Sequence, residues 1–103
     1  MFTESLSQAV DRLTAQGYTD DFRAEPEGMR AVVAGVLYRP ELLVVEEVDR
    51  FDGISDPADE AIVLALHCIE DGIKGTYTVP FGPGVGALDA EMMHRLRDAT
   101  TRE

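Results

Sequence analysis

The sequence has one cysteine, few basic residues and no long apolar run, and each shortage narrows what the protein can be. Cys68 is the single cysteine, so no internal disulfide can form, which suits a reducing compartment. The longest apolar run, Ala61 to Ile69, falls short of the roughly 18 to 20 residues that cross a bilayer. The start, MFTESLSQ, lacks the basic and apolar segments of a signal peptide. We therefore expect a cytoplasmic protein with no membrane partner.

Basic residues are outnumbered by acidic ones. The chain has 9 Lys and Arg against 20 Asp and Glu, which gives a formal net charge of −11. Such a surface repels phosphate backbones, so nucleic acid is not an expected partner. The aromatic residues are spread singly and lack the basic neighbours that base stacking requires. The acidity either serves solubility or matches a basic partner.

The length and composition fit one small globular domain. The chain has 103 residues, of which 45% are hydrophobic, as in ordinary globular proteins rather than disordered ones. A domain of this size buries roughly two thirds of the surface of its unfolded chain. We therefore expect residues 1–103 to form a single domain around one core.

The first segment predicts an amphipathic helix over residues 3–16. Its apolar residues recur with helical spacing, and Ser5 with Gln8 fits a capping box. Gly17 stands where a left-handed residue ends a helix, and Tyr18 could then contact Leu13. The polar stretch from Tyr18 to Ala24 predicts a short edge strand or a loop.

Two strands are predicted next, after a turn at residues 25–28. Met29 to Val36 is apolar on both alternating sets, which is typical of a strand buried on both faces. From Leu42 to Phe51 the residues alternate as in a strand with one buried face. The alternation slips at Glu46 and Glu47, where one of the two adjacent carboxylates would point into the core. A β-bulge there would remove the conflict.

The segment after residue 57 supports two interpretations. Asp56 and Pro57 are a typical helix start. The β-branched residues between Ala61 and Ile69, the Asp71-Gly72 turn and the run from Thr76 to Phe81 instead favour a hairpin. A helix would leave the second run without a partner nearby in sequence. We therefore predict a strand.

A second helix is predicted to begin at Asp89, after a glycine-rich loop. The predicted fold class is α+β, as a two-layer sandwich. An antiparallel sheet of four or five strands carries the N- and C-terminal helices on one face. Exposed sheet edges would allow a homodimer.

Four segments in order resemble a family of small bacterial proteins of about this length. They are GYTDDF (residues 17–22), VDRFDGISDPADEAIVLAL (48–66), GIKGTYTVPFG (72–82) and LDAEMMHRL (88–96). Members of this family are often labelled phosphoribosylpyrophosphate synthetases. The resemblance covers most of the chain, implies a helix–strands–helix domain and favours a strand after Asp59. It implies no activity, substrate or catalytic residue.

The synthetase label does not fit the residues. That enzyme is a longer, two-domain protein whose ribose-phosphate loop follows an acidic pair with small and hydroxyl residues. Here Phe22 and Arg23 follow the acidic pair of GYTDDF, and no P-loop lysine pattern is present. The chain also departs from the family at Pro83-Gly84-Val85-Gly86, so no role is carried over to these glycines.

The densest acidic cluster offers a candidate metal site. Carboxylates at such spacing on one loop can hold Ca²⁺ or Mg²⁺. The alternative is a solvated loop with local capping, because the spacing does not match a calcium-binding EF-hand loop. The candidate ligands are Asp52, Asp56, Asp59 and Glu60.

Two further patterns give weaker indications of a binding or catalytic site. The Gly82–Gly86 loop precedes a helix, where backbone N–H groups can bind an anion, although a plain connector fits its spacing as well. His67 and Cys68 are neighbours, so on a strand they face opposite sides and form no catalytic dyad.

The sequence therefore favours a non-catalytic module that binds a protein or small ligand, without a cofactor, through a polar sheet face or an edge. The alternative is a small metal-assisted hydrolase that uses the Asp52–Glu60 loop. Phosphoribosylpyrophosphate synthetase activity is not expected.

Overall fold

The structure, a computed structural model, describes residues 4–51, 61–80 and 86–101, with side chains as far as residue 96. The described strands form one sheet in the order β3-β2-β1-β6-β5-β4. All neighbouring strands are antiparallel except β1 and β6, which are parallel. The elements are α1 (Leu6–Ala15), β1 (Asp20–Glu25), β2 (Gly28–Ala31), β3 (Val36–Tyr38), a 3₁₀ turn (Pro40–Leu42), β4 (Leu43–Phe51), β5 (Ala61–Cys68), β6 (Lys74–Pro80) and α2 (Ala87–Thr101).

The α+β class and the terminal helices are confirmed, whereas the predicted sheet of four or five antiparallel strands is wrong. The sheet has six strands and is mixed. Most of the polar stretch assigned to an edge strand or loop is β1, which lies in the middle of the sheet and pairs with β6. Helix α2 begins at Ala87, two residues before the predicted start at Asp89.

The predicted single strand from Met29 to Val36 is wrong because the chain turns within it. The carboxylate of Asp20 accepts hydrogen bonds from the backbone N–H groups of Val33 and Ala34, at 2.8 and 2.9 Å. Gly35, with φ +73°, completes the turn between β2 and β3. Asp20 is 6% exposed, so a buried carboxylate distant in sequence fixes this turn.

Helix α1 follows its local signals. Ser5 and Gln8 form the predicted capping box. Gly17 has φ +108°, and the N–H of Tyr18 donates to the carbonyl of Leu13 at 3.0 Å. Tyr18 and Leu13 also lie in the same buried cluster, as predicted. Helix α1 is therefore ended by its own sequence and directs the chain into the sheet.

The predicted bulge in β4 is confirmed. Val45 pairs with Leu66 and Glu47 pairs with Ala65, which leaves Glu46 as the extra residue. The extra residue lets Glu46 bond to Tyr18 while the adjacent Glu47 forms an ion pair with Arg12 of α1. Neither carboxylate enters the apolar core.

Strand β5 is the apolar centre of the fold, and the prediction that it is a strand is confirmed. Val63 and Ala65 pack with Leu13 of α1, whereas Leu64 and Leu66 pack in the cluster that contains α2 residues. Successive side chains of a strand point to opposite faces. The two helices therefore cover opposite faces, and the prediction that both lie on one face is wrong.

The two antiparallel halves of the sheet meet in a short parallel ladder. Only two residue pairs are in register between β1 and β6, Asp20 with Gly75 and Asp21 with Thr76. The backbones approach so closely that a Cβ at Gly75 would lie 2.4 Å from the carbonyl oxygen of Asp20. This position therefore requires glycine for space.

We predict that Gly75→Ala lowers the free energy of unfolding by at least about 2 kcal/mol, because the added methyl group forces the two halves of the sheet apart. The matched control is Gly86→Ala, where the new Cβ would meet nothing within 4 Å. Urea denaturation of both variants measures the difference. Equal stability of the two variants would contradict the described contact.

Candidate functional site

An open cleft lies where β1 and β6 stop pairing. The strands are in register only at their N-terminal ends, as far as Asp21 and Thr76. Beyond this point lies a cavity of about 530 Å³. Its size falls within the roughly 300 to 1,000 Å³ of small-molecule sites. The residues that line it are Asp21, Phe22, Arg23, Ala24, Glu25, Tyr77, Thr78 and Asp89.

Backbone groups from both strands point into the cleft. The carbonyl of Asp21 accepts from the N–H of Val32, directly after β2, so alternation along the antiparallel pair turns the N–H and C=O of Ala24 away from β2 and toward β6. The N–H of Cys68 donates to the carbonyl of Ile73, so the backbone groups of Ile73 face β5. By the same alternation, the N–H and C=O of Thr78 point away from β5 and toward β1. Pro80 also faces β1, but proline has no N–H to donate.

The charged groups that line the cleft are mainly negative. Among the described residues, its lining contains the carboxylates of Asp21, Glu25 and Asp89 and one guanidinium, that of Arg23. Arg23 forms an ion pair with Asp21, in which Nη2 of Arg23 lies 2.8 Å from Oδ2 of Asp21. Glu25 is bound by Arg30 at 2.7 Å, and this bond lowers the pKa of Glu25. Asp89 therefore contributes the negative charge that no described cation neutralises by an ion pair.

Asp89 is positioned by a buried tyrosine. The side chain lies in the first turn of α2 and accepts the hydroxyl hydrogen of Tyr77 on β6. Tyr77 is 2% exposed, and burial, followed by the bond to Asp89, raises the pKa of its phenol. The hydroxyl therefore stays protonated and holds the carboxylate at the cleft wall.

The same bond type recurs at all three tyrosines. The Tyr18 hydroxyl donates to Glu46, the Tyr38 hydroxyl donates to Asp71, and the Tyr77 hydroxyl donates to Asp89. The bond to Glu46 raises the pKa of Tyr18 to about 12, and burial is the main cause of the raised pKa of Tyr38. The paired residues are 28, 33 and 12 positions apart in the chain, respectively.

A second polar cluster lies at the β4 bulge, on the α1 side of the sheet. Glu46 accepts from Tyr18 and lies 3.0 Å from Nδ1 of His67. The ammonium of Lys74 lies 4.5 Å from the centre of the Tyr18 ring. The bond from Tyr18 is the largest cause of the lowered pKa of Glu46. This cluster fixes the end of α1 on the sheet.

The described residues do not bring His67 and Cys68 together. His67 meets Glu46 on the α1 side, whereas Cys68 is buried in the cluster that contains α2 residues. The prediction that they face opposite sides of the strand is therefore confirmed. Burial is the largest cause of the raised pKa of the Cys68 thiol, which opposes formation of a reactive thiolate.

The predicted metal ligands Asp52, Asp56, Asp59 and Glu60 lie outside the described residues, so they stay a prediction. The same holds for residues 82–85 of the predicted anion loop. Within residues 4–51, 61–80 and 86–101, no group of three or more His, Cys, Asp or Glu side chains could hold a metal ion.

Sequence reasoning missed the cleft. Asp21 and Glu25 stand in a stretch assigned to an edge strand or loop, and Asp89 was considered as a helix start. No local signal joins them, because the cleft depends on the parallel pairing of β1 with β6. Gly75 is a sequence signal for that close approach, since a glycine inside a strand often marks one.

Comparison of the chain with models of known families, with curated proteins and with solved structures finds no match. The family resemblance of the four segments therefore stays a prediction. None of the described helices is long and apolar enough to cross a membrane.

The tyrosine–carboxylate bonds predict how stability changes at alkaline pH. The raised pKa values favour the protonated phenols in the folded state. The three hydrogen bonds contribute fully to the free energy of unfolding below the pKa of tyrosine in the unfolded chain, about 10. This contribution is lost as pH rises through the pKa values of the folded state, and for Tyr18 that value is about 12. We expect the free energy of unfolding to fall steadily above about pH 10.

The measurement is a tyrosinate absorbance titration of the folded protein and of the protein in denaturant. The denatured chain should titrate near pH 10 and the folded chain well above it. Tyrosinate formation at about pH 10 while circular dichroism shows an intact fold would contradict the three bonds.

Proposed function

We propose that this protein is a non-catalytic module that binds a positively charged ligand, or a positively charged segment of a partner protein, in the cleft between β1 and β6. The observation that supports it most is an open cavity of about 530 Å³ with three carboxylates and one guanidinium in its wall. Concave sites with a few convergent polar groups are typical binding sites.

The charge of the cleft defines the class of ligand. Arg23 and Asp21 neutralise each other, and Glu25 is bound to Arg30. Asp89 accepts its hydrogen bond from the neutral phenol of Tyr77. An ammonium or guanidinium group beside Asp89 would form a charge-assisted hydrogen bond, which is roughly twice as strong as a neutral one.

The state of the lining groups supports binding rather than catalysis. The Tyr77 hydroxyl is buried, and its raised pKa opposes the ionisation that a nucleophile or a base needs. The salt bridges Asp21–Arg23 and Glu25–Arg30 occupy both carboxylates, and the bond to Arg30 lowers the pKa of Glu25. Groups held in this way can recognise a ligand by position and charge.

The test is a titration with two probes of similar length and opposite charge, cadaverine and glutarate. We expect cadaverine to shift the backbone amide resonances of residues that line the cleft, and glutarate to shift none of them. Asp89→Asn keeps an oxygen that can accept the Tyr77 hydrogen bond but removes the charge, so it should weaken cadaverine binding about tenfold or more.

The matched control is Asp11→Asn, which makes the same charge change at an exposed position on α1. This variant should bind cadaverine as the unaltered protein does. Equal loss in both variants would show that only the net charge of the chain matters. Equal binding of glutarate and cadaverine would also contradict the proposal.

A further inference from the structure

We propose that the occupant of the cleft is the free amino-terminal end of an extended peptide, which enters as a short strand between β1 and β6 and runs parallel to both. This inference rests on the proposed function, because the α-amino group supplies the positive charge. The shape of the cleft, the direction of its backbone groups and the charges of its lining support this occupant.

The cleft is a fork that is closed at one end. The ladder between β1 and β6 is complete at Asp21 and Thr76, and both strands run from there toward the open end. Beyond the ladder, residues 23–25 of β1 pair only with β2 and residues 77–80 of β6 pair only with β5. Four residues of extended chain span about 13 Å. A peptide can lie between these strands only with one of its ends against the ladder.

The walls offer main-chain hydrogen bonds of the kind that a strand uses. Ala24 turns its N–H and C=O toward β6, and Thr78 turns its N–H and C=O toward β1. An inserted strand would pair with both at once. Addition of a peptide strand to free sheet edges is a known mode of recognition, in which the main chain supplies affinity and alternate side chains supply specificity.

The charged side chains that line the cleft determine which end of the peptide lies against the ladder. Asp21 is at the closed end and is half-exposed, with 46% of its side-chain surface accessible. Glu25 and Asp89 also line the cleft, and Asp89 is hydrogen-bonded to Tyr77, the residue directly after Thr76. The described lining of the cleft holds three carboxylates and one guanidinium, so a peptide carboxyl terminus would add to an excess of negative charge, whereas an α-amino group would offset it. With its amino terminus innermost, the peptide runs in the same direction as β1 and β6.

The two faces of the slot differ in chemistry. Phe22 and Tyr77 belong to the buried cluster on the α2 side, where Asp89 also lies. Asp21, Arg23 and Thr78 face the α1 side by the alternation of their strands. Alternate residues of the peptide should therefore be apolar toward Phe22 and Tyr77 and polar toward the other face.

The experiment compares three pools of dye-labelled pentapeptides with randomised residues, passed over the immobilised full chain. One pool has a free amino terminus, the second is acetylated, and the third has a free amino terminus but an N-methylated amide at its third residue. Acetylation removes the terminal charge, and N-methylation removes one main-chain donor while all charges stay. We expect the free pool to be retained at least tenfold more than either of the others.

Two variants localise the binding. Asp21→Asn should lower retention of the free pool several-fold, because it removes a carboxylate at the closed end and leaves Arg23 without its ion-pair partner. Asp11→Asn, on the exposed face of α1, should leave retention unchanged.

Equal retention of the three pools, with competition by cadaverine, would overturn the inference while the proposed function stands. If no pool is retained while cadaverine binds, the inference is likewise overturned and the proposed function stands. Failure of both the pools and cadaverine would contradict the proposed function itself.

Discussion

The two halves of the sheet join through the parallel pairing of β1 with β6, and the absence of a side chain at Gly75 lets the backbones approach closely enough for it. At this position β1 pairs with β6, and a side chain on Gly75 would prevent the pairing. The carboxylate of the same Asp20 binds the turn between β2 and β3 through the N–H groups of Val33 and Ala34. A single buried residue thus joins the β1–β3 half to the β4–β6 half and also shapes the first half.

The cleft follows from how short that junction is. After Asp21 and Thr76, β1 and β6 are no longer in register. The backbone N–H and C=O groups of Ala24 on β1 and of Thr78 on β6 point toward each other's strand across the opening. Tyr77 then positions Asp89 of α2 at the wall. The fold therefore produces main-chain donors and acceptors together with negative charge in one place, which is the combination that an extended cationic segment requires.

The sequence predicted the features that depend on neighbouring residues. The Ser5 cap, the Gly17 helix end and the bulge at Glu46 are each encoded within a few positions, and all three are confirmed. The features that were wrong depend on distant contacts. The turn after Ala31 is fixed by Asp20, and the helix faces follow from β5 being buried on both sides. The cleft was not predicted because its walls come from opposite ends of the chain.

Amide hydrogen exchange measures directly whether β1 and β6 separate beyond Asp21 and Thr76. The N–H groups of Arg23 and Tyr77 point to the flanking strands β2 and β5, whereas those of Ala24 and Thr78 point into the cleft. The account predicts that Ala24 and Thr78 exchange many times faster than Arg23 and Tyr77 in the protein without ligand. Equal protection of all four amides would show that β1 and β6 stay paired to their ends and that no cleft opens between them.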